Sequence, residues 1–221
     1  MCSERLFMKM ADRLVQDGYK DAGYNRINID DCWMAPSRSD RGILMADPLR
    51  FPRGIKFLAD YMHARGLKLG IYADFGSRTC MGFPGTRLQD MERDVATFTS
   101  WGVDMIKMDG CHTHPNNIES GYLRMGQLLN KTGRPVVFSC SWPFYQTFRD
   151  IQPNLTKVAQ TCNLWRSFID VEISWKSIHG IMKFYGDNQQ VLAKHAGPGQ
   201  WNDPDMVSNG ISIKLQIPTR K

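Results

Sequence analysis

Two charged residues sit inside an otherwise apolar run, Met105-Ile106-Lys107-Met108-Asp109, within the stretch VDMIKMDGCHTH. On a strand, successive side chains point to opposite faces, so Met105, Lys107 and Asp109 share one face and Ile106 and Met108 the other. A lysine facing a core needs an anionic partner, because an unpaired buried charge is costly. Carboxylates recur in the same position along the chain. Asp30, Asp31, Asp74, Asp109, Asp170 and Asp205 each follow an apolar segment, and Arg166 is read onto the face of Asp170 as Lys107 is onto that of Asp109. Such a collection suits a polyhydroxylated ligand held by charge-assisted hydrogen bonds, or a hard metal ion. Trp33, Tyr72, Trp142 and Trp165 lean toward a sugar, since aromatic faces pack on the C–H side of a pyranose. Two carboxylates from different strands can then act as nucleophile and acid/base of a retaining glycosidase, about 5 to 5.5 Å apart, and the Lys107 cation suits a charged nucleophile at Asp109.

Aspartates at strand ends also serve as N-caps of the next helix, which would account for about half of these positions but not for Lys107. The run Cys111-His112-Thr113-His114 has metal-ligand types without the four spaced ligands of a zinc site. His63, His179 and His195 read as surface or packing residues.

The elements that must position these residues follow a repeated pattern. A helix is expected over Glu4 to Val15 behind Ser3 as N-cap, then a strand over Tyr24 to Asp30 and a helix from about Ile55 to Arg65 stopped by Gly66. Strand Leu67 to Asp74, a helix around Gln89 to Trp101 ended by Gly102, and strand Met105 to Asp109 come next. A helix near Ile118 to Asn130, strand Pro135 to Cys140, an irregular segment, strand Asn163 to Asp170 and a helix near Ser174 to Tyr185 complete the series before the run 199–205. Strand ends near Asp30, Asp74, Asp109, Cys140, Asp170 and Asp205 lie 44, 35, 31, 30 and 35 residues apart, near the roughly 30 that one (β/α) unit needs. No strand is followed by G-x-G-x-x-G, which speaks against a doubly wound nucleotide-binding sheet. A (β/α)8 barrel gathers the strand ends at one mouth, where such enzymes hold their active sites, and is the fold expected.

Composition narrows the function further. The 221 residues carry 28 Lys and Arg against 22 Asp and Glu, net +6, but the basic residues are scattered, so nucleic-acid binding is not expected. No apolar run reaches the roughly 18 to 20 residues of a membrane span, and MCSERLFMKM is no signal peptide. Six cysteines without a C-x-x-C pair leave buried thiols or disulfides as the alternatives, and sequons at Asn130 and Asn154 tilt toward an oxidising, secretory compartment.

Six segments in order, IDDCW (29–33), LKLGIYAD (67–74), KMDGC (107–111), FSCSWP (138–143), CNLWR (162–166) and WNDPDM (201–206), resemble the motifs of family 27 glycoside hydrolases, which include lysosomal α-galactosidases and α-N-acetylgalactosaminidases. The likeness runs from about Ser3 to Met206. It implies a (β/α)8 TIM barrel, retaining removal of terminal α-linked sugars from a glycan substrate, no metal or other cofactor, a homodimer, and a lysosomal or secreted location. By motif, Asp109 would be the nucleophile and Asp170 the acid/base. Asp30 and Asp31 would grip the 4- and 6-hydroxyls, Lys107 the 3- and 4-hydroxyls and Arg166 the group at C2, with Tyr72, Cys111 and Asp205 completing the wall. The same resemblance pairs Cys80 with Cys111 and Cys140 with Cys162, and gives Cys2 and Cys32 partners upstream, leaving them free or abnormally paired here. At the C2 pocket α-galactosidases carry Glu and Leu and the N-acetylgalactosaminidases Ser and Ala, whereas this chain has Ser141 and Phe144. Ser141 supports α-N-acetylgalactosamine as the sugar; α-galactose is the alternative.

The family pattern also predicts what differs. Residues 1–206 would form strands 2 to 7 of the barrel, with the first and eighth strands and the C-terminal β-sandwich domain missing, and 207–221 a divergent tail. Open edges would favour aggregation or partial unfolding, so an inactive fragment, or a lectin-like sugar binder without turnover, is the alternative from another class.

Overall fold

The computed structural model describes residues 2–205. Met1, Met206 of the WNDPDM motif and the whole 207–221 tail lie outside the described residues.

Helix α1 (Glu4–Gln16) begins where Ser3 Oγ accepts from the Leu6 amide at 3.3 Å, as its sequence position suggests, and buries Phe7 and Ala11 four residues apart on one stripe. Five (β/α) steps follow. Strand β1 is Arg26–Ile29, helix α2 Gly54–His63, β2 Lys68–Asp74, α3 Met91–Ser100, β3 Met105–Asp109, α4 Ile118–Lys131 and β4 Val137–Cys140. Two short helices, α5 (Trp142–Thr147) and α6 (Leu155–Thr161), occupy the segment expected to be irregular. Strand β5 (Leu164–Arg166), α7 (Trp175–Asp187), α8 (Gln189–Leu192) and β6 (Trp201–Asp203) complete the described chain. Helices α2 and α3 both stop at a glycine in the left-handed region, Gly66 at φ +69 and Gly102 at φ +77, where a Cβ would be strained.

All six strands are parallel and their order is β1-β2-β3-β4-β5-β6. A doubly wound sheet reverses its order at a switch point; an unreversed series of right-handed crossovers is an arc of a barrel. The register defines the two faces. Ile27, Ile29, Leu69, Ile71, Ala73, Ile106, Met108, Phe138, Cys140 and Trp165 are buried outward against Leu58, Met62, Val95, Phe98, Tyr122 and Met125 of the surrounding helices. The inner face is apolar at its base, where Met105, Val137 and Leu164 stand, and polar toward the mouth. Asn28, Tyr72, Asp74, Lys107, Asp109, Ser139, Arg166 and Asp203 stand on it, linked by the pairs Tyr72↔Lys107, Asp74↔Asp109, Lys107↔Ser139 and Arg166↔Asp203.

Several expectations need correction. The strand read over Asn163 to Asp170 ends at Arg166, so Asp170 sits in the following loop and meets Arg166 by the loop turning back. None of the strand-end aspartates is an N-cap; capping falls to Ser3, His114, Asn154 and Ser174. Trp33, Tyr72, Trp142 and Trp165, the four aromatics expected against a sugar, are all fully buried. Trp33 donates to the Tyr72 carbonyl at 2.9 Å and Trp142 to Gln146 Oε1 at 2.7 Å, as buried indoles must. Cys80–Cys111 and Cys140–Cys162 are bonded as the resemblance implied, but Cys2 and Cys32 are neither free nor dependent on an upstream partner: they are bonded to each other.

At the end of the strands away from the carboxylate ring, Asp104 gathers three groups. Its carboxylate takes His63 Nε2 at 2.7 Å, Arg134 Nη2 at 2.8 Å and the Leu69 amide at 2.9 Å, tying α2, β2 and the loop before β4 to the entry of β3. Burial pushes this carboxyl up, but the His63 bond, the Leu69 amide and Arg134 outweigh it and hold it below the ordinary aspartate value. A group whose folded pKa is depressed stabilises above its unfolded pKa and loses that contribution as pH falls through the folded value. Asp104→Asn is therefore expected to lower unfolding free energy by about 1 to 3 kcal/mol at pH 7, and by much less at pH 3, in urea titrations at the two pH values.

Candidate active site

Strand β3 delivers Lys107 and Asp109 to the mouth of the arc because both lie on its inner parity. Lys107 Nζ is 2.7 Å from Asp30 Oδ2, one residue past β1, and 3.8 Å from Asp109 Oδ2. From the other side Arg166, closing β5, places Nη2 3.7 Å from Asp109 Oδ1, Nη1 3.5 Å from Asp205 Oδ1, and a close ion pair on Asp170. Asp109 is thus flanked by the buried Arg166 and the largely buried Lys107, and Ser141 at the end of β4 donates its hydroxyl to Asp109 Oδ1. Burial alone would pull Lys107 and Arg166 down, yet Asp109 with Asp30, and Asp109 with Asp170 and Asp205, hold both above their ordinary values. Both cations are charged at any physiological pH.

The remaining predicted residues divide by position. Asp31, raised chiefly by burial, accepts the Met81 amide at 2.7 Å and so anchors the β2–α3 loop beside Cys80. The Cys80–Cys111 disulfide joins that loop to the one after β3, and Tyr72, wholly buried, places its hydroxyl 3.1 Å from Cys80 Sγ. Because both sulfurs are bonded, the cluster of Asp74, Cys80 and Cys111 offers no thiolate to a metal, nor does the Cys111 to His114 run. Asp205 adopts φ 98, a conformation strained for any residue but glycine, while its Oδ2 accepts the Val171 amide at 2.7 Å in the loop carrying Asp170. Asn130, in the last turn of α4, and Asn154, capping α6, are exposed and away from this site.

A cavity of about 520 Å³ opens over Asp109, Arg166, Asp170 and the Cys80–Cys111 bridge. Its aromatic wall is Phe144, Tyr145 and Phe148, with Phe144 stacked on Phe148 at 5.7 Å and standing 5.3 Å from the Arg166 guanidinium. Of these only Phe144 was singled out from the sequence. Tyr145 and Phe148 lie in the segment expected to be irregular, and the spacing 144, 145, 148 on a helical turn is the signal that could have found them. Asp74, buried, and Asp203, half-buried, are also inward carboxyls, and both are raised, chiefly by desolvation.

The mouth thus holds one buried carboxylate, Asp109, between two cations, and a second, exposed carboxylate, Asp170, that shares one of them. A family model described as Alpha galactosidase A matches residues 1–216. The chain belongs to this family. It is 55% identical over 208 residues to rat alpha-N-acetylgalactosaminidase, covering 94% of this chain and 50% of the relative. It is 52% identical over 220 residues to human alpha-galactosidase A, covering 97% and 51%. Alpha-galactosidase I of Mortierella vinacea superposes with a TM-score of 0.83 at 32% identity, over 96% of this chain and 57% of that one. The chain spans about half the length of the curated relatives it matches, and that half is the barrel arc with the charged mouth. No helix among the described residues is long and apolar enough to cross a membrane.

Ser141 is 1% exposed and its hydroxyl binds a charged partner. Ser141→Ala is expected to destabilise the fold by about 1.5 to 3 kcal/mol, read from urea unfolding, with no change in the slope of the transition.

Proposed function

We propose that this chain carries the site of a retaining α-glycosidase acting on terminal α-linked N-acetylgalactosamine, with α-galactose as the second reading. The observation that carries it is Asp109 seated between Lys107 and Arg166, with Asp170 on the same guanidinium. One guanidinium bridging the two carboxylates supports a short separation of the kind retaining enzymes use.

In this reading Asp109 attacks the anomeric carbon while protonated Asp170 gives its proton to the departing glycosidic oxygen. The bond to the aglycone breaks as the ester to Asp109 forms. Asp170, now a carboxylate, takes a proton from water, which attacks the anomeric carbon and releases the sugar and Asp109. Lys107, Asp30 and Asp31 hold ring hydroxyls through charge-assisted hydrogen bonds, and Asp205 keeps Arg166 directed at the group on C2. Tyr72 and Cys111 form the wall behind the ring. Asn130 and Asn154, both exposed, are the proposed glycan acceptors, and lysosomal or secretory residence and homodimer formation come with the reading.

Ser141 is the small residue that leaves room beside C2 for an N-acetyl group. Phe144, packed near Arg166, narrows that same space and is what favours galactose. Chromogenic α-N-acetylgalactosaminide and α-galactoside, assayed side by side, separate the two. Asp109→Asn is expected to abolish release from both, and Phe144→Ala to raise the N-acetylgalactosaminide to galactoside ratio by about tenfold. Saturable binding of either monosaccharide with no release by the parent chain would leave a lectin-like site in place of an enzyme.

A further inference from the structure

Asp74 is the most deeply buried carboxyl at the mouth, and the proposed reaction does not use it. It closes β2, faces inward with Tyr72, and is the register partner of Asp109 on β3. Its side chain is 0% exposed. Oδ2 accepts two hydrogen bonds, from the Cys111 amide at 3.1 Å and from the Tyr72 hydroxyl at 3.2 Å, and lies 3.4 Å from Cys80 Sγ. Oδ1 has no hydrogen-bond partner among the described residues. One oxygen thus touches the Tyr72 phenol and both halves of the disulfide bridge.

We infer that Asp74 is a positioning residue, a buried neutral carboxylic acid whose one oxygen fixes the Cys111 backbone and the Tyr72 phenol against each other and so sets the wall of the sugar site. The groups facing it are acidic or neutral. The titratable groups that act on it electrostatically are Asp109 on β3, Asp31 after β1, Tyr72 on its own strand, Tyr145 of α5 and Tyr122 of α4. No ion pair to Asp74 occurs among the described residues, so an ionised form would be a buried charge beside Asp109 with two donors and no counterion. Burial first, then Asp109 and Asp31, lift its pKa to about 8 against the opposing Cys111 and Tyr72 bonds. The proton belongs on Oδ1, which leaves Oδ2 as the acceptor that both donors find.

Between the ordinary aspartate value, about 3.9, and about 8 the folded chain holds a proton that the unfolded chain has released, so folding stability falls as pH rises through that window and levels above it. Asn at position 74 keeps a carbonyl-type acceptor and never ionises. Ala keeps neither.

The inference rests on Tyr72 and Cys111 as wall residues of the proposed site, and its test has arms that need no turnover. Thermal midpoints of the full chain, Asp74→Asn and Asp74→Ala are compared from pH 5 to pH 8. The rate at which dithiothreitol opens the Cys80–Cys111 bond is followed by peptide mapping. The Asn variant is expected to show a shallower fall in midpoint with pH than the parent and to exceed it at pH 7.5. Its bridge opens within about threefold of the parent rate, while the Ala variant opens at least about tenfold faster, the loss of one to two hydrogen bonds. An equal pH slope in parent and Asn variant, or an Asn variant whose bridge opens as fast as the Ala variant's, overturns the inference. Calorimetric titration of galactose and N-acetylgalactosamine into the parent judges the sugar site separately: no binding there, with the other arms as expected, would remove the proposed function and leave Asp74 as a structural acid of this wall.

Discussion

The structure depends on paying the desolvation of Lys107 and Arg166. Two cations taken out of water at the mouth of a barrel are tolerable only if carboxylates surround them in fixed geometry. Asp30 and Asp109 do this for Lys107, and Asp109, Asp170 and Asp205 for Arg166, from loops and strands far apart in the sequence. Asp109 is the shared member. The same arrangement that satisfies the burial of two cations leaves one carboxylate held from both sides and open to a cavity.

The covalent and hydrogen-bonded frame is concentrated on the loops that carry this network. The Cys80–Cys111 bridge ties the loop after β2 to the loop after β3, and Cys2–Cys32 fixes the residue that directly follows Asp30 and Asp31 to the start of α1. Arg50 reinforces that second tie by donating to the Cys32 and Met34 carbonyls. At the opposite end the Asp104 cluster ties helix and strands together, in line with the division of a barrel into a reactive face and a structural one.

Departures from simple sequence patterns gather at the mouth, where function and folding preferences diverge. Asp205 accepts a left-handed backbone to keep one oxygen toward Arg166 and the other on the Asp170 loop. Asp74, buried, and Asp203, half-buried, keep raised pKa values beside ionic neighbours. A core selected for stability alone would hold none of these.

The sequence by itself determined the (β/α) rhythm, the helix stops at Gly66 and Gly102, and the inner parity of Lys107 and Asp109, because period and chirality are local properties of the chain. The parity of Leu164-Trp165-Arg166 also held the information that Trp165 and Arg166 face opposite ways, although residue type alone drew Trp165 toward a sugar. Only tertiary structure decided the rest. Asp170 meets Arg166 through a loop rather than a strand, Cys2 finds Cys32 across 30 residues, and Phe144, Tyr145 and Phe148 form the aromatic wall in place of Trp33, Trp142 and Trp165. Loop paths and side-chain burial depend on which elements end up adjacent, and no window of sequence contains both sides of such a contact.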